Sequence, residues 1–212
     1  KNIYSVGLPS IIMQSIGAIM MLGINSIFMA AGSAVSVTVF GIYFKLQSFV
    51  FMPCFGLNQG VMPVIGYNYG ARNRQRVYSA LKCGIVIALI IMFIGVLLMW
   101  LIPDRLISMF GGGQELMDVG VPAFRIISLC FLPAAAGILF TTLFQAVGKG
   151  VRSLLMSVCR QLVILLPVAF ALSLTAGVQA VWYAFPIAEI GCLILAVCFF
   201  LNLVKGDFKK LN

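Results

Sequence analysis

Histidine is absent from the 212-residue chain, which removes the imidazole used in much acid–base chemistry and many metal sites. Charge is scarce too. Only 9% of residues are charged, and five acids stand against fourteen lysines and arginines. A water-soluble domain carries about a quarter charged residues, so this chain lacks the means to cover its own surface in water. A soluble enzyme, a secreted disulfide scaffold and a disordered tail are thereby excluded. Cys-x-x-Cys pairs are missing as well: Cys54, Cys83, Cys130, Cys159, Cys192 and Cys198 lie in or beside apolar runs, where cysteine acts as a small hydrophobe. The start of the chain shows no charged n-region, short apolar core and cleavage site of a secretory signal. It begins at Lys1 rather than Met, which suggests a processed or truncated product. No internal repeat and no low-complexity stretch is visible.

What is present is apolar: 62% of residues are hydrophobic and the mean hydropathy is +1.13. The chain reads as an all-α integral membrane protein. A helix needs about 20 apolar residues to cross the hydrocarbon core, and six candidates lie near 8–31, 38–66, 80–102, 119–146, 152–175 and 179–203. Together they make residues 1–212 a single six-helix lobe whose short connections favour antiparallel neighbours. The net charge of +9 sits in the connections between apolar segments, which argues against nucleic acid as a partner. Lys1, Arg72, Arg74, Arg76, Lys82, Lys149, Arg152, Lys205, Lys209 and Lys210 all fall on one side, whereas Arg105 lies opposite with Asp104, Glu115 and Asp118. The bias of basic residues toward the cytoplasm then predicts both termini inside and a multi-pass protein of the cell's inner (plasma) membrane.

The second span is too long for a straight crossing, and it holds Pro53, Pro63 and a Gly56-x-x-x-Gly60 step. Proline interrupts the backbone ladder and paired glycines admit a neighbouring helix, so a kinked or tilted helix in close contact is expected. Pro122, Pro133, Pro167 and Pro186 repeat the theme in later spans, as in transporters whose broken helices line a cavity. On the outer side, Leu106, Ile107, Met109 and Phe110 form a short amphipathic turn ended by Gly111, Gly112 and Gly113. On the inner side, the three arginines and three tyrosines of 67–79 suit anionic headgroups.

Four ionisable residues fall within spans: Lys45, Arg125, Arg160 and Glu189. A charge in mid-membrane costs about 2.5–3.5 kcal/mol on insertion scales and is a functional candidate by default. Lys45 and Arg125 are close enough to an edge to snorkel outward, whereas Arg160 and Glu189 are deeper. Two readings stand for Glu189. It forms a buried ion pair with Lys45, Arg125 or Arg160 that fixes helix packing, or it is a coupling carboxylate that binds a proton or cation. The amides Gln14, Asn25, Asn58 and Gln59 either tie helices together or line a path, and Asn58 and Gln59 adjoin the Gly56/Gly60 step.

The run Gln59-Gly60-Val61-Met62-Pro63-Val64-Ile65-Gly66-Tyr67-Asn68-Tyr69-Gly70-Ala71 resembles the signature that ends the eighth helix of the multidrug and toxic compound extrusion (MATE) family. Leu106 to Gly111, Phe144 to Gly150, and Arg160-Gln161 followed by Pro167 fit in order. The resemblance covers essentially the whole chain. It implies a fold that is one six-helix lobe, the second, of a twelve-helix exporter in which substrate lies between two lobes and leaves in exchange for protons or sodium. It gives Gly60, Pro63, Gly66, Asn68 and Gly70 a structural role. Glu189, Lys45, Arg160, Asn58, Gln59, Gln14 and Asn25 remain the candidates for substrate or coupling contacts.

Sodium-coupled members carry an acid in the seventh helix. The first span here offers Gln14 and Gly17, so a proton-linked exporter of organic cations is expected, with sodium less favoured. The coupling acid then lies in the other lobe, with Glu189 accessory. The implied partners are an N-terminal lobe or a second copy of this chain, the small cation, protons and the lipid bilayer, with no cofactor and no metal. A flippase of lipid-linked oligosaccharide in the same superfamily is the alternative, since Lys45, Arg125 and Arg160 would suit an anionic headgroup. A membrane enzyme would need paired acids, histidine or a nucleophile with its base, and a channel would need a filter motif.

Overall fold

The computed structural model describes residues 2–111, 113–206 and 208, with side chains at 11, 12 and from 15 onward within those ranges. Among them every regular element is helical. The chain runs α1 (Asn2–Ala30), α2 (Ala34–Gly70), α3 (Arg74–Leu101), α4 (Pro103–Ser108), α5 (Gln114–Ser128) and α6 (Phe131–Ala146). It continues through α7 (Gly150–Val158), a π-helical segment (Cys159–Leu165), α8 (Leu166–Thr175), a 3-10 turn (Val178–Tyr183) and α9 (Ala184–Lys205).

Local chemistry explains the ends. Ser33 accepts from the Ser36 N–H at 3.2 Å and starts α2, and Asn73 accepts from the Arg76 N–H at 3.1 Å and starts α3. Each side chain satisfies one of the donors that a helix start leaves free. α2 spans 37 residues, longer than the apolar stretch 38–66, because capping and the Tyr67–Tyr69 turn carry the helix past it at both ends. It runs without a break through Pro53 and Pro63, both exposed. A sharp bend lies between two other helices. α5 and α6 meet at 46°, where the N–H groups of Leu129 and Cys130 bond to the carbonyls of Ile126 and Ile127. Pro133, two residues into α6, cannot donate to the Leu129 carbonyl and its ring crowds it, which favours this tightened turn.

Among the described residues, four helical stretches are long and apolar enough to cross a membrane: Ala34–Gly70, Arg74–Leu101, Gly150–Thr175 and Val178–Lys205. The bent α5–α6 pair makes a fifth, and Ser15–Ala30 of α1 is a shorter apolar helix. Ile90, Phe93 and Ile94 of α3 and Ile187, Ile190 and Ile194 of α9 are exposed. Such apolar surface suits lipid rather than water.

α6 is the central post, packed against α2, α3, α7 and α9, while α1 leans on α2, α7 and α8. Aromatic rings fill one end. Phe28 and Trp182 lie 4.6 Å apart, Phe40 and Phe185 5.7 Å, and Phe51 meets Phe131 edge-on at 5.3 Å. Close helix approach relies on Gly84 and Gly95 of α3, Gly120 of α5, Gly23 of α1 and Gly191 of α9, where a Cβ would press on a neighbouring side chain. At Gly56 and Gly60 nothing lies within 4 Å of such a Cβ. The close contact expected at that step is therefore not made within this chain, because α2 turns these glycines toward open space.

Candidate functional site

Beside the Gly56/Gly60 step, α2 turns Phe55, Asn58, Gln59 and Met62 to a cleft with two cavities. The larger, about 540 Å³, is lined by Asn58, Gln59, Thr141, Thr142, Gln145 and Ser157 among others, with Arg160 and Cys192 at its side. It falls within the usual size range of ligand pockets. The smaller, about 210 Å³, lies among α1, α2, α9 and the π segment and is lined by Tyr43, Phe44, Gln47, Phe185, Gln161 and Glu189, with Arg160 again at its edge. Phe55, Ile138 and Arg160 belong to both linings.

The structure settles the partner of Glu189. Arg160 Nη1 donates to Glu189 Oε1 at 3.0 Å, with side chains 29% and 14% exposed. The pair joins the π segment to α9 and remains open to the cleft. Lys45 takes no part. It is exposed, and its Nζ lies 5.7 Å over the Phe110 ring, so its charge reaches back toward the connection after α4. Arg125 is likewise exposed on α5 and lines neither cavity. Neither cation takes part in the cleft.

The amides part company. Asn58 and Gln59 line the larger cavity. Asn58 Oδ1 is buried with no hydrogen-bond partner among the described residues, an acceptor left unpaired beside the cavity. Asn25 Oδ1 is also buried without a partner, but the residue is in neither lining. The side chain of Gln14 lies outside the described residues. Among the motif positions, Asn68 is buried and its Nδ2 donates to the Val64 carbonyl at 2.8 Å, while its own carbonyl accepts from the Asn73 N–H at 2.9 Å and closes the α2–α3 turn. Gly66 abuts the Ala146 carbonyl. Gly60, Pro63 and Gly70 are exposed.

Several site residues had no signal strong enough to single them out as site residues. Thr141, Thr142 and Gln145 sit on one face of α6 at helical spacing, a polar patch in an otherwise apolar run. The hydroxyls of Thr141 and Thr142 bond back to the carbonyls of Gly137 and Ile138. Gln161 enters the site through the π segment, which sets Arg160 and Gln161 side by side on the smaller cavity. π segments recur at functional sites because the extra residue re-aims neighbouring side chains. Here Pro167, placed at the start of α8, denies the Val163 carbonyl its usual donor and favours the wider turn just upstream.

No group of three or more His, Cys, Asp or Glu that could hold a metal occurs among the described residues. The cleft presents the Arg160–Glu189 ion pair, amides and hydroxyls, and aromatic, aliphatic and sulfur-bearing walls.

Known proteins share this arrangement. The multidrug export protein MepA of Staphylococcus haemolyticus (strain JCSC1435) is 26% identical over 197 residues, which is 93% of this chain and 43% of that protein. The chain thus spans less than half the length of the curated relatives it matches. Solved structures titled as the outward-facing and inward-facing conformations of a multidrug resistance MATE family transporter of the MOP superfamily superpose with TM-scores of 0.91 and 0.90. Their identities are 25% and 26%, covering 98% and 99% of this chain and 47% and 49% of those chains. The family model described as MatE matches residues 8–171. An all-helical membrane fold, its half-length correspondence and that match agree: the chain belongs to the MatE family.

Proposed function

We propose that residues 1–212 act as one six-helix lobe of a secondary active exporter of small organic cations. The cleft walled by α2, α6 and the π segment is then half of a central cavity whose other wall belongs to a second lobe, either an N-terminal lobe or another copy of this chain. Alternation between outward- and inward-facing arrangements, both named among the related structures, would expose that cavity to each side in turn. The basic connections put both termini in the cytoplasm of a cell whose inner membrane holds the six spans. Protons are the favoured coupling ion over sodium.

The observation that carries this reading is the charge of the cleft. Arg160 and Glu189 cancel, Lys45 and Arg125 line neither cavity, and the remaining lining is amide, hydroxyl, aromatic, aliphatic and sulfur-bearing. A lining without net positive charge favours a cationic or neutral drug over the anionic headgroup of a lipid-linked sugar, which supports the exporter reading over the flippase alternative. The test is efflux of a cationic dye from cells stripped of their own pumps that express the native gene containing this chain. Dye export that collapses with the proton gradient supports the reading. Export indifferent to that gradient, or transport of a polyprenyl-linked sugar with no dye export, overturns it.

A further inference from the structure

Arg160 stands in the partition between the two cavities, and the chemistry on its two sides differs. The smaller cavity combines one carboxylate, Glu189, with the rings of Tyr43, Phe44, Phe51, Phe55 and Phe185. Carboxylate and electron-rich ring faces together form a setting for a cation. That place is already taken by the protein's own guanidinium, through a single Nη1–Oε1 contact of 3.0 Å that the cleft can reach. On the other side, the larger cavity carries no acid among its lining residues but does hold acceptors, including the unpartnered Oδ1 of Asn58.

We propose that Arg160 is a built-in competitor at a cation subsite formed by Glu189 and the surrounding rings. In the empty lobe the guanidinium occupies the carboxylate. An ammonium, quaternary ammonium or phosphonium head entering the smaller cavity takes Glu189, and Arg160 turns into the larger cavity, where Asn58 Oδ1 and neighbouring amides receive its N–H groups. This rests on the exporter reading and deepens it: it assigns the site that takes the charged head and the group that opposes it. The consequence is affinity held down on purpose. The fraction of the lobe with Glu189 free sets the apparent Kd, so a ligand that must be released on the far side never binds as tightly as the rings and carboxylate alone would allow.

The test is equilibrium binding to the purified protein that contains this chain, in lipid nanodiscs, using tetraphenylphosphonium and its neutral counterpart triphenylphosphine oxide. Arg160→Gln should lower the Kd for the phosphonium about tenfold and leave the phosphine oxide within about twofold. Arg160→Lys, which keeps the competing charge, should stay near wild type. Glu189→Gln should weaken the phosphonium about tenfold, and the double variant should match it, because without the carboxylate there is nothing to compete for. If Arg160→Gln binds the phosphonium no more tightly than wild type does, Arg160 is not a competitor, although the exporter reading survives. If wild type binds neither probe, the exporter reading falls and takes this one with it. Should Arg160→Gln fail to fold, wild type still decides: the Arg160 side-chain NMR resonance must move on adding the phosphonium and stay put with the phosphine oxide, and a resonance unmoved by both overturns the competition.

Discussion

The α3–α6 interface and the Gly56/Gly60 step of α2 are built from similar material, glycine among apolar residues, but only the first is closed. A Cβ at Gly84 would lie 2.9 Å from Leu139 and 3.3 Å from Val61, and one at Gly95 would run into Val50 and Phe131. At Gly56 and Gly60 the same atom would meet open space. Small residues in a membrane helix therefore mark a place where something comes close, but they do not say whether that something belongs to the same chain. On α3 the neighbour is α6 or α2 itself. At the Gly56/Gly60 step the space is open and neither glycine lines a cavity, so no described residue of this chain supplies the neighbour.

Four substitutions break or sharpen this contrast, from the largest expected effect down. Gly95→Leu drives a branched side chain into Val50 and the buried Phe131 ring, and overpacking of this kind costs about 1–3 kcal/mol. Thermal unfolding in detergent should show a clear fall, and an unchanged midpoint would mean that the α3–α6 seam is looser than the geometry says. Glu189→Gln removes the charge opposite Arg160. Because the cleft reaches both groups, the loss should be about 1–2 kcal/mol, below that of a dry buried pair, and dye export should fall with it. Stability lost with export intact would make the pair a packing device alone.

Ser128→Ala takes away the hydroxyl that accepts from Trp100 Nε1 at 3.1 Å. A loss of about 0.5–1.5 kcal/mol is expected, and chemical denaturation can resolve it. Gly60→Leu comes last for stability, with a change inside about 0.5 kcal/mol because the added side chain touches nothing in this chain. An unchanged unfolding midpoint is the expected result, and if the substitution unfolds the protein instead, the open reading of that step is wrong.

How much of this was legible beforehand follows from what sequence spacing can encode. Depth in a span is a one-dimensional quantity, and it singled out Arg160 and Glu189 as deep and Lys45 and Arg125 as shallow. Facing is an angular quantity that depends on neighbours, so Glu189 kept three possible partners until the helices were assembled. Prolines told the same half-story. Pro53 and Pro63 read as the source of a kink or tilt, and α2 stays continuous helix through both at an exposed face, whereas Pro133 sits beside the 46° bend. A proline removes one hydrogen bond wherever it stands; whether the helix then bends depends on what packs around the freed carbonyl. The π segment left no pattern at all. Hydropathy is blind to one surplus residue in a turn, so Gln161 became a site residue only in the assembled bundle.

That surplus residue fixes the rotational phase between the two halves of the fifth apolar stretch. A residue of α-helix turns about 100°, so α7 is presented to its neighbours about that far round from where an unbroken helix through α8 would put it. Deleting a single residue between Cys159 and Leu165 would leave composition, length and hydropathy almost untouched. It would nonetheless swing Ser153, whose hydroxyl donates to the Thr141 carbonyl at 2.9 Å, and Arg152, whose Nη1 donates to the Phe199 carbonyl at 3.2 Å, away from both partners. The α7 end of the lobe is thus held in register by a count of residues rather than by their kind.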